Sequence, residues 1–166
     1  MVNGTSWSAL ESPIGELILT GNAGALTGLY VGRLPGSDAP PTDDGRDDRV
    51  FDSVRAQLTE YFAGERTSFD VPLDLRGTEF QRTVWDALLR VPFGHTTTYG
   101  EIARRISKPA AVRAVGAANG RNPVSIIVPC HRVVGSNGSL VGYGWGVERK
   151  AFLLDHERLV SGATLL

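Results

Sequence analysis

The chain has 166 residues, 42% of them hydrophobic and 21% charged, with a formal net charge of −1, which is room for one compact domain or two small ones sharing a core. No apolar run approaches the length of a bilayer span, and the opening MVNGTSWSALESPIGEL has no basic segment leading into an apolar one, so it does not read as a secretory signal. A single cysteine excludes an internal disulfide and a cysteine-rich zinc site, and the expected compartment is a reducing one, most simply the cytoplasm.

Charge is unevenly divided. Residues 1–75 carry 5 Lys/Arg against 12 Asp/Glu, residues 76–166 carry 12 against 6, and no acid occurs from Ile102 to Val147. Arg104, Arg105, Lys108, Arg113, Arg121 and Arg132 fall in that acid-free window. A one-signed stretch of this length suits a polyanion. A solvated basic face is the alternative, and charge alone does not separate the two.

In chain order, Leu17–Thr20 and Leu26–Val31 are glycine-bounded apolar runs that read as strands of a meander. Residues 33–49, rich in Pro, Gly and Asp, read as an exposed, flexible connection. Phe51, Val54, Leu58, Tyr61 and Phe62 then recur at helical spacing, with Gly64 as a stop. VPLDL (71–75) leads out of the first half, and the domain boundary is expected near Arg76.

The second half reads as helices. Thr78 with Gln81 forms a capping box for a helix aligning Phe80, Val84 and Leu88, and Thr98 with Glu101 forms another for YGEIARRI (99–106). Ser107-Lys108-Pro109 is a tight break, with Pro109 in the first turn of a helix over 110–119 that ends at Gly120. Two short helices about a tight turn suggest a helix-turn-helix. The second is nearly all Ala and Gly, which lets a backbone approach a partner closely; packing against a neighbouring helix uses the same residues. SIIV (125–128) reads as a buried strand delivering Pro129-Cys130-His131-Arg132. A glycine-punctuated loop with Tyr143 and Trp145 follows, then a last helix, about 147–159, aligning Val147, Ala151 and Leu154 and carrying Glu157.

Cys130 is the one thiol, and a thiol reacts as thiolate, so it needs a base or a positive field nearby. His131 is adjacent in sequence, but neighbouring side chains face each other only across a turn, here at Pro129. Glu157 could orient the imidazole and complete a relay. On these residues alone, an inert core cysteine is the commoner reading, and the bare Cys-His pair is weak evidence against it.

The segment IIVPCHRVVGSNGSLVGYG resembles the active-site signature of the O6-alkylguanine-DNA alkyltransferases, the methylated-DNA–protein-cysteine S-methyltransferases. TYGEIA, RAVGAANGRNP, PCHRV, GYG and LLDHE stand in the family's order and spacing, from about Gly77 to Glu157. The resemblance implies an α/β two-domain fold: an N-terminal ribonuclease-H-like α/β domain (1–75) and a C-terminal helical domain (76–166) with a winged helix-turn-helix-like DNA-binding motif. It implies irreversible, single-turnover transfer of a methyl or alkyl group from O6-alkylguanine, with O4-alkylthymine as a second candidate, to Cys130 after minor-groove binding and base flipping.

By the same resemblance, His131 would take the thiol proton through a water and Glu157 would hold the imidazole. Tyr99 would donate to N3 of the departing base, and Asn122 would fix the turn before the active-site segment. Arg113 would enter the base stack, with Ala111, Ala114, Gly116, Ala118 and Tyr99 against the DNA. Tyr143, Gly144, Trp145 and Pro129 would line the alkyl pocket, and Trp145, where many relatives have a small residue, would narrow it. No Cys or His precedes His95, so the zinc that some members hold in the N-terminal half is not expected, nor is any cofactor. The implied partner is double-stranded DNA carrying O6-alkylguanine, bound by a monomer, with cooperative assembly on DNA an open question and no membrane association. The alternatives are a non-catalytic alkyl-lesion-binding protein, which would lack the acceptor cysteine, a Cys-His-Glu hydrolase, and a DNA-binding regulator with an inert thiol.

Overall fold

The computed structural model describes residues 5–22, 24–34 and 44–162. They form two compact units, Met1–Leu75 and Arg76–Leu166.

In the first unit, β1 (Ser6–Leu10), β2 (Leu17–Gly21) and β3 (Leu26–Val31) form an antiparallel sheet in the order β1-β2-β3. The central strand, LILTG, is buried at every position, which explains a continuous apolar run where a half-exposed strand would alternate. β1, SWSAL, escapes the sequence reading because its serines dilute the pattern; Ser8 is buried and donates to Asp48 Oδ1 at 2.6 Å.

A one-turn 3-10 helix (Asp48–Phe51) leads into α1 (Asp52–Phe62), which buries Val54, Gln57, Leu58 and Tyr61. The Gln57 amide donates to the Asp70 carbonyl and its oxygen accepts from the Asp70 N–H, holding the returning chain. Residues 35–43 of the expected connection lie outside the described residues, but 44–49 do not behave as one. Trp7 N donates to the Gly45 carbonyl, Asp47 N to the Trp7 carbonyl, and the Arg46 guanidinium lies 5.0 Å from the Trp7 ring centre. A tryptophan edge with open backbone groups thus captures a segment that composition alone makes look solvated.

The second unit begins with α2 (Glu79–Leu88), whose Thr78–Gln81 capping box is present in both directions. β4 (Thr97–Thr98) pairs in parallel with β5 (Val133–Val134), and between them lie α3 (Tyr99–Arg105) and α4 (Val112–Gly120). At the second expected box, Thr98 accepts from Glu101 N, but the Glu101 carboxylate turns to Arg104 and Arg105, a stronger charged pairing.

The α3–α4 turn contains Ser107 at φ 62 and closes with Lys108 N donating to Ala103 O. α4 starts at Val112, so Pro109 sits in the turn ahead of the helix.

Two further expectations are corrected. SIIV is a buried series of turns, not a strand, because Ile126 takes φ 72 and Val128 N reaches back to Val124 O. The last helix, α5 (Val147–Ser161), buries Lys150, Leu153 and Glu157, whereas Val147 is exposed and Ala151 and Leu154 are half-buried. Apolar periodicity chose the wrong face because two of the three buried positions are charged. Among the described residues no helix is long and apolar enough to cross a membrane.

Candidate active site

Pro129 turns the chain into a single 3-10 turn, Cys130–Arg132, and this stacks three chemically distinct side chains on a tight pitch. All three are buried. Asn122 fixes the approach: its Nδ2 donates to the Val128 carbonyl at 2.7 Å and its Oδ1 accepts from Val124 N at 3.0 Å. Buried Asn119 adds a longer bond, 3.5 Å, from Nδ2 to the Cys130 carbonyl.

α5 supplies Glu157, 1% exposed, whose Oε2 lies 2.7 Å from His131 Nε2. Burial alone would raise this carboxyl's pKa, but His131 and Arg132 hold it well below the usual range, so it is ionised. Burial lowers the His131 pKa in spite of Glu157, so the imidazole is neutral. A neutral imidazole beside a carboxylate donates Nε2–H, which leaves Nδ1 as a lone-pair acceptor. Nδ1 is buried and has no protein partner.

Arg132 was expected on a basic surface; it is a core residue instead. Its Nε and Nη2 bond the two Glu157 oxygens at 2.8 and 3.0 Å, and Nη1 donates to the Val91 carbonyl at 2.7 Å. The planar fork facing a buried carboxylate satisfies both oxygens with two separate nitrogens, a geometry that the single nitrogen of a lysine does not match. Lys150 was not singled out in the sequence. Its ammonium is fully buried, donates to the Val133 and Val141 carbonyls, and interacts with Cys130. The available signal was the spacing, since seven residues before Glu157 places Lys150 on the same face of the last helix.

Burial pushes the Cys130 thiol up, while Asn122, Lys150, its own backbone N–H and Ser125 pull it back down. Tyr99, half-buried at the start of α3, donates to the Val141 carbonyl at 3.2 Å, and burial together with Cys130 raises its pKa. Gly142, at φ 72, faces it closely: a Cβ there would stand 2.7 Å from Tyr99 Oη. Tyr143 is buried with its hydroxyl unpartnered and its pKa raised well above the usual value by burial and by Cys130. Trp145 is half-buried and donates Nε1–H to Ser125 Oγ at 2.9 Å; Pro129 is buried, and Gly144 is exposed.

On α4, Arg113 and Ala114 are exposed, and Ala111 and Gly116 are half-buried. Ala118 is corrected: it is 2% exposed, with its carbonyl accepting from Trp85 Nε1 at 2.8 Å, so it faces α2 and cannot meet a partner. Ala117 occupies the exposed side instead. Lys108 and Arg121 are also exposed, whereas Arg104 and Arg105 are both engaged by Glu101. Among the described residues no group of three His, Cys, Asp or Glu could hold a metal.

A helix-turn-helix beside a buried cysteine with its own base and carboxylate defines a DNA-binding protein equipped for nucleophilic chemistry at sulfur. Residues 79–159 match the DNA-binding domain of 6-O-methylguanine DNA methyltransferase, and residues 6–75 match its ribonuclease-like domain. A methylated-DNA–protein-cysteine methyltransferase of Mycobacterium tuberculosis is 51% identical over 160 residues, 96% of each chain. One from Methanosarcina acetivorans is 49% identical over 153 residues, covering 91% of this chain and 97% of the relative. The crystal structure of the Mycobacterium tuberculosis O6-methylguanine methyltransferase superposes with a TM-score of 0.85 at 47% identity over 97% of both chains. A structure of the same organism's protein in complex with DNA gives 0.84 at 50% identity, over 93% of this chain and 94% of that one. The chain therefore belongs to the 6-O-methylguanine DNA methyltransferase family, and it is a DNA-repair enzyme that acts on DNA by alkyl transfer.

Proposed function

We propose that Cys130 is the alkyl acceptor and that its substrate is O6-alkylguanine in double-stranded DNA. The observation that carries this reading is the sole cysteine set one residue before a neutral, buried histidine that is hydrogen-bonded to an ionised glutamate.

His131 Nδ1 accepts the thiol proton through a water, and the Glu157 charge stabilises the imidazolium that results. Arg132 keeps Glu157 ionised and aimed. The Lys150 ammonium and the Asn122 amide hold the thiolate. The sulfur attacks the alkyl carbon in line with its bond to O6. The S–C bond forms, the C–O bond breaks, and its electron pair passes to guanine. Tyr99 keeps its proton at neutral pH and donates it, or a hydrogen bond, to N3 of the leaving base. The products are guanine and a thioether on Cys130. A thioether is inert to hydrolysis, so each chain acts once.

A base inside a duplex must leave the stack before its O6 substituent can meet a buried thiol, at a cost of about a few kcal/mol. Arg113, exposed on a helix of small residues, fills the gap. Lys108 and Arg121 supply sequence-independent phosphate contacts. Tyr143, Trp145 and Pro129 bound the alkyl pocket. The protein works as a monomer in the cytoplasm, where a lone reactive thiol stays reduced.

The test is stoichiometry. With excess duplex carrying one O6-methylguanine, restored guanine should rise to one per chain and stop. Tight binding without restoration, or restoration well beyond one per chain, would refute the proposal.

A further inference from the structure

Glu157 is also held by the turn that joins α2 to β4. The Val91 carbonyl accepts from Arg132 Nη1 at 2.7 Å, and the Phe93 ring centre lies 5.7 Å from the Arg132 guanidinium carbon. Gly94 donates its backbone N–H to Glu157 Oε1 at 3.3 Å. One short turn therefore touches both partners of the buried ion pair. The carboxylate oxygens divide accordingly: Oε1 accepts from Arg132 Nε and Gly94 N, and Oε2 from His131 Nε2 and Arg132 Nη2.

Position 94 suits glycine for two reasons. Its φ of 79 lies in the left-handed region, and a Cβ there would stand 2.6 Å from Ser161 Oγ and 2.8 Å from Ser161 Cβ. Ser161 is the last residue of α5, one turn beyond Glu157. The missing side chain lets the turn lie directly on the part of the helix that carries the carboxylate. The donor delivered there is backbone, with no side-chain rotamers to freeze. A guanidinium fork fixes a carboxylate relative to Arg132, yet the two can still shift together against His131. Tying Oε1 to one peptide group and Arg132 Nη1 to another, three residues away, removes that freedom.

We propose that the 91–94 turn is the element that aims Glu157 at His131, and that Gly94 is a positioning residue acting through Glu157 Oε1. Phe93 shields the ion pair from water. The inference rests on the reading of His131 as the base for Cys130 and deepens it. With Oε1 tethered, Oε2 stays with the His131 Nε2–H, and Nδ1 stays free to accept.

The signature is the His131 Nε2 proton, read by NMR in DNA-free protein labelled with 15N-histidine; His131 is the fully buried one of the chain's three histidines. In the parent it should lie far downfield, as a proton donated to a carboxylate does. Gly94→Ala should move it upfield and slow single-turnover methyl transfer about tenfold, the scale of one hydrogen bond to a charged group. Thr78→Ala, which weakens the same unit at the α2 cap, should leave the proton at its parental position. An unmoved proton or an unchanged transfer rate in Gly94→Ala overturns the proposal. So does an equal movement in Thr78→Ala, which would make the signal a report on stability. The parent supplies a reading that needs no variant to fold: protection of the Gly94 amide from solvent exchange supports the proposal, and exchange at the rate of an unstructured peptide overturns it. Both spectra are recorded without alkylated DNA, so their failure is distinct from failure of the transfer reaction.

Discussion

Both units bury apolar side chains, but they differ in the polar groups buried with them. In Met1–Leu75 the central strand places Leu17, Ile18 and Leu19 out of water, and among the described residues the unit's buried polar side chains are neutral Ser8, Thr20 and Gln57. In Arg76–Leu166 the buried set includes His131, Arg132, Lys150 and Glu157 around Cys130. An apolar core gains from each group taken out of water; an ionic core is stable only while every partner is present. The first arrangement tolerates small losses, and the second exchanges that tolerance for a field around one sulfur.

The largest expected effect concerns that sulfur. Cys130→Ala should abolish alkyl transfer while leaving the circular dichroism spectrum and DNA binding intact; residual transfer would place the acceptor elsewhere. Next is the ionic core. Arg132→Ala leaves Glu157 charged and half-partnered, and should lower stability by about 3–5 kcal/mol in urea unfolding. A loss below about 1 kcal/mol would mean that the fork contributes little. In the apolar unit, Leu19→Ala should cost about 2–5 kcal/mol as a cavity, with no dependence on pH.

The pH dependence separates the two kinds of core. His131 and Glu157 both have folded pKa values lowered from 6.5 and 4.5. Their contribution is full above the unfolded values and is lost as pH falls, first below about 6.5 and further below about 4.5, with a limiting slope of about 1.4 kcal/mol per pH unit for each group. Urea midpoints of Arg76–Leu166, followed by residue-resolved NMR in the whole chain, should drop between pH 7 and 5. A flat profile would contradict the assigned charge states. The smallest effect is local: Thr78→Ala removes the α2 capping box and should cost about 1 kcal/mol at any pH.

The same contrast explains what the sequence made legible. Apolar strands, both helix-opening threonines and the PCHRV segment carry local signals, and the meander, the helix-turn-helix and the Cys130–His131–Glu157 grouping followed from them. What failed were sites where polar residues do a core residue's work. Arg132 read as surface and Lys150 was passed over, because hydrophobicity patterns assign charge to solvent. SIIV read as a strand because nothing in four residues announces a positive φ at Ile126. Ala118 read as a contact residue because small side chains look alike whether they face a partner or α2. In each case the deciding information is a tertiary partner: Glu157, the Val133 carbonyl, Asn122 or Trp85.

The most direct test of the account is intact mass followed by peptide mapping after mixing the protein with a duplex bearing one O6-methylguanine. A single added methyl, located on the Cys130 peptide, is the expected result. An unchanged mass on lesion-bound protein, or a methyl on any other peptide, would contradict it.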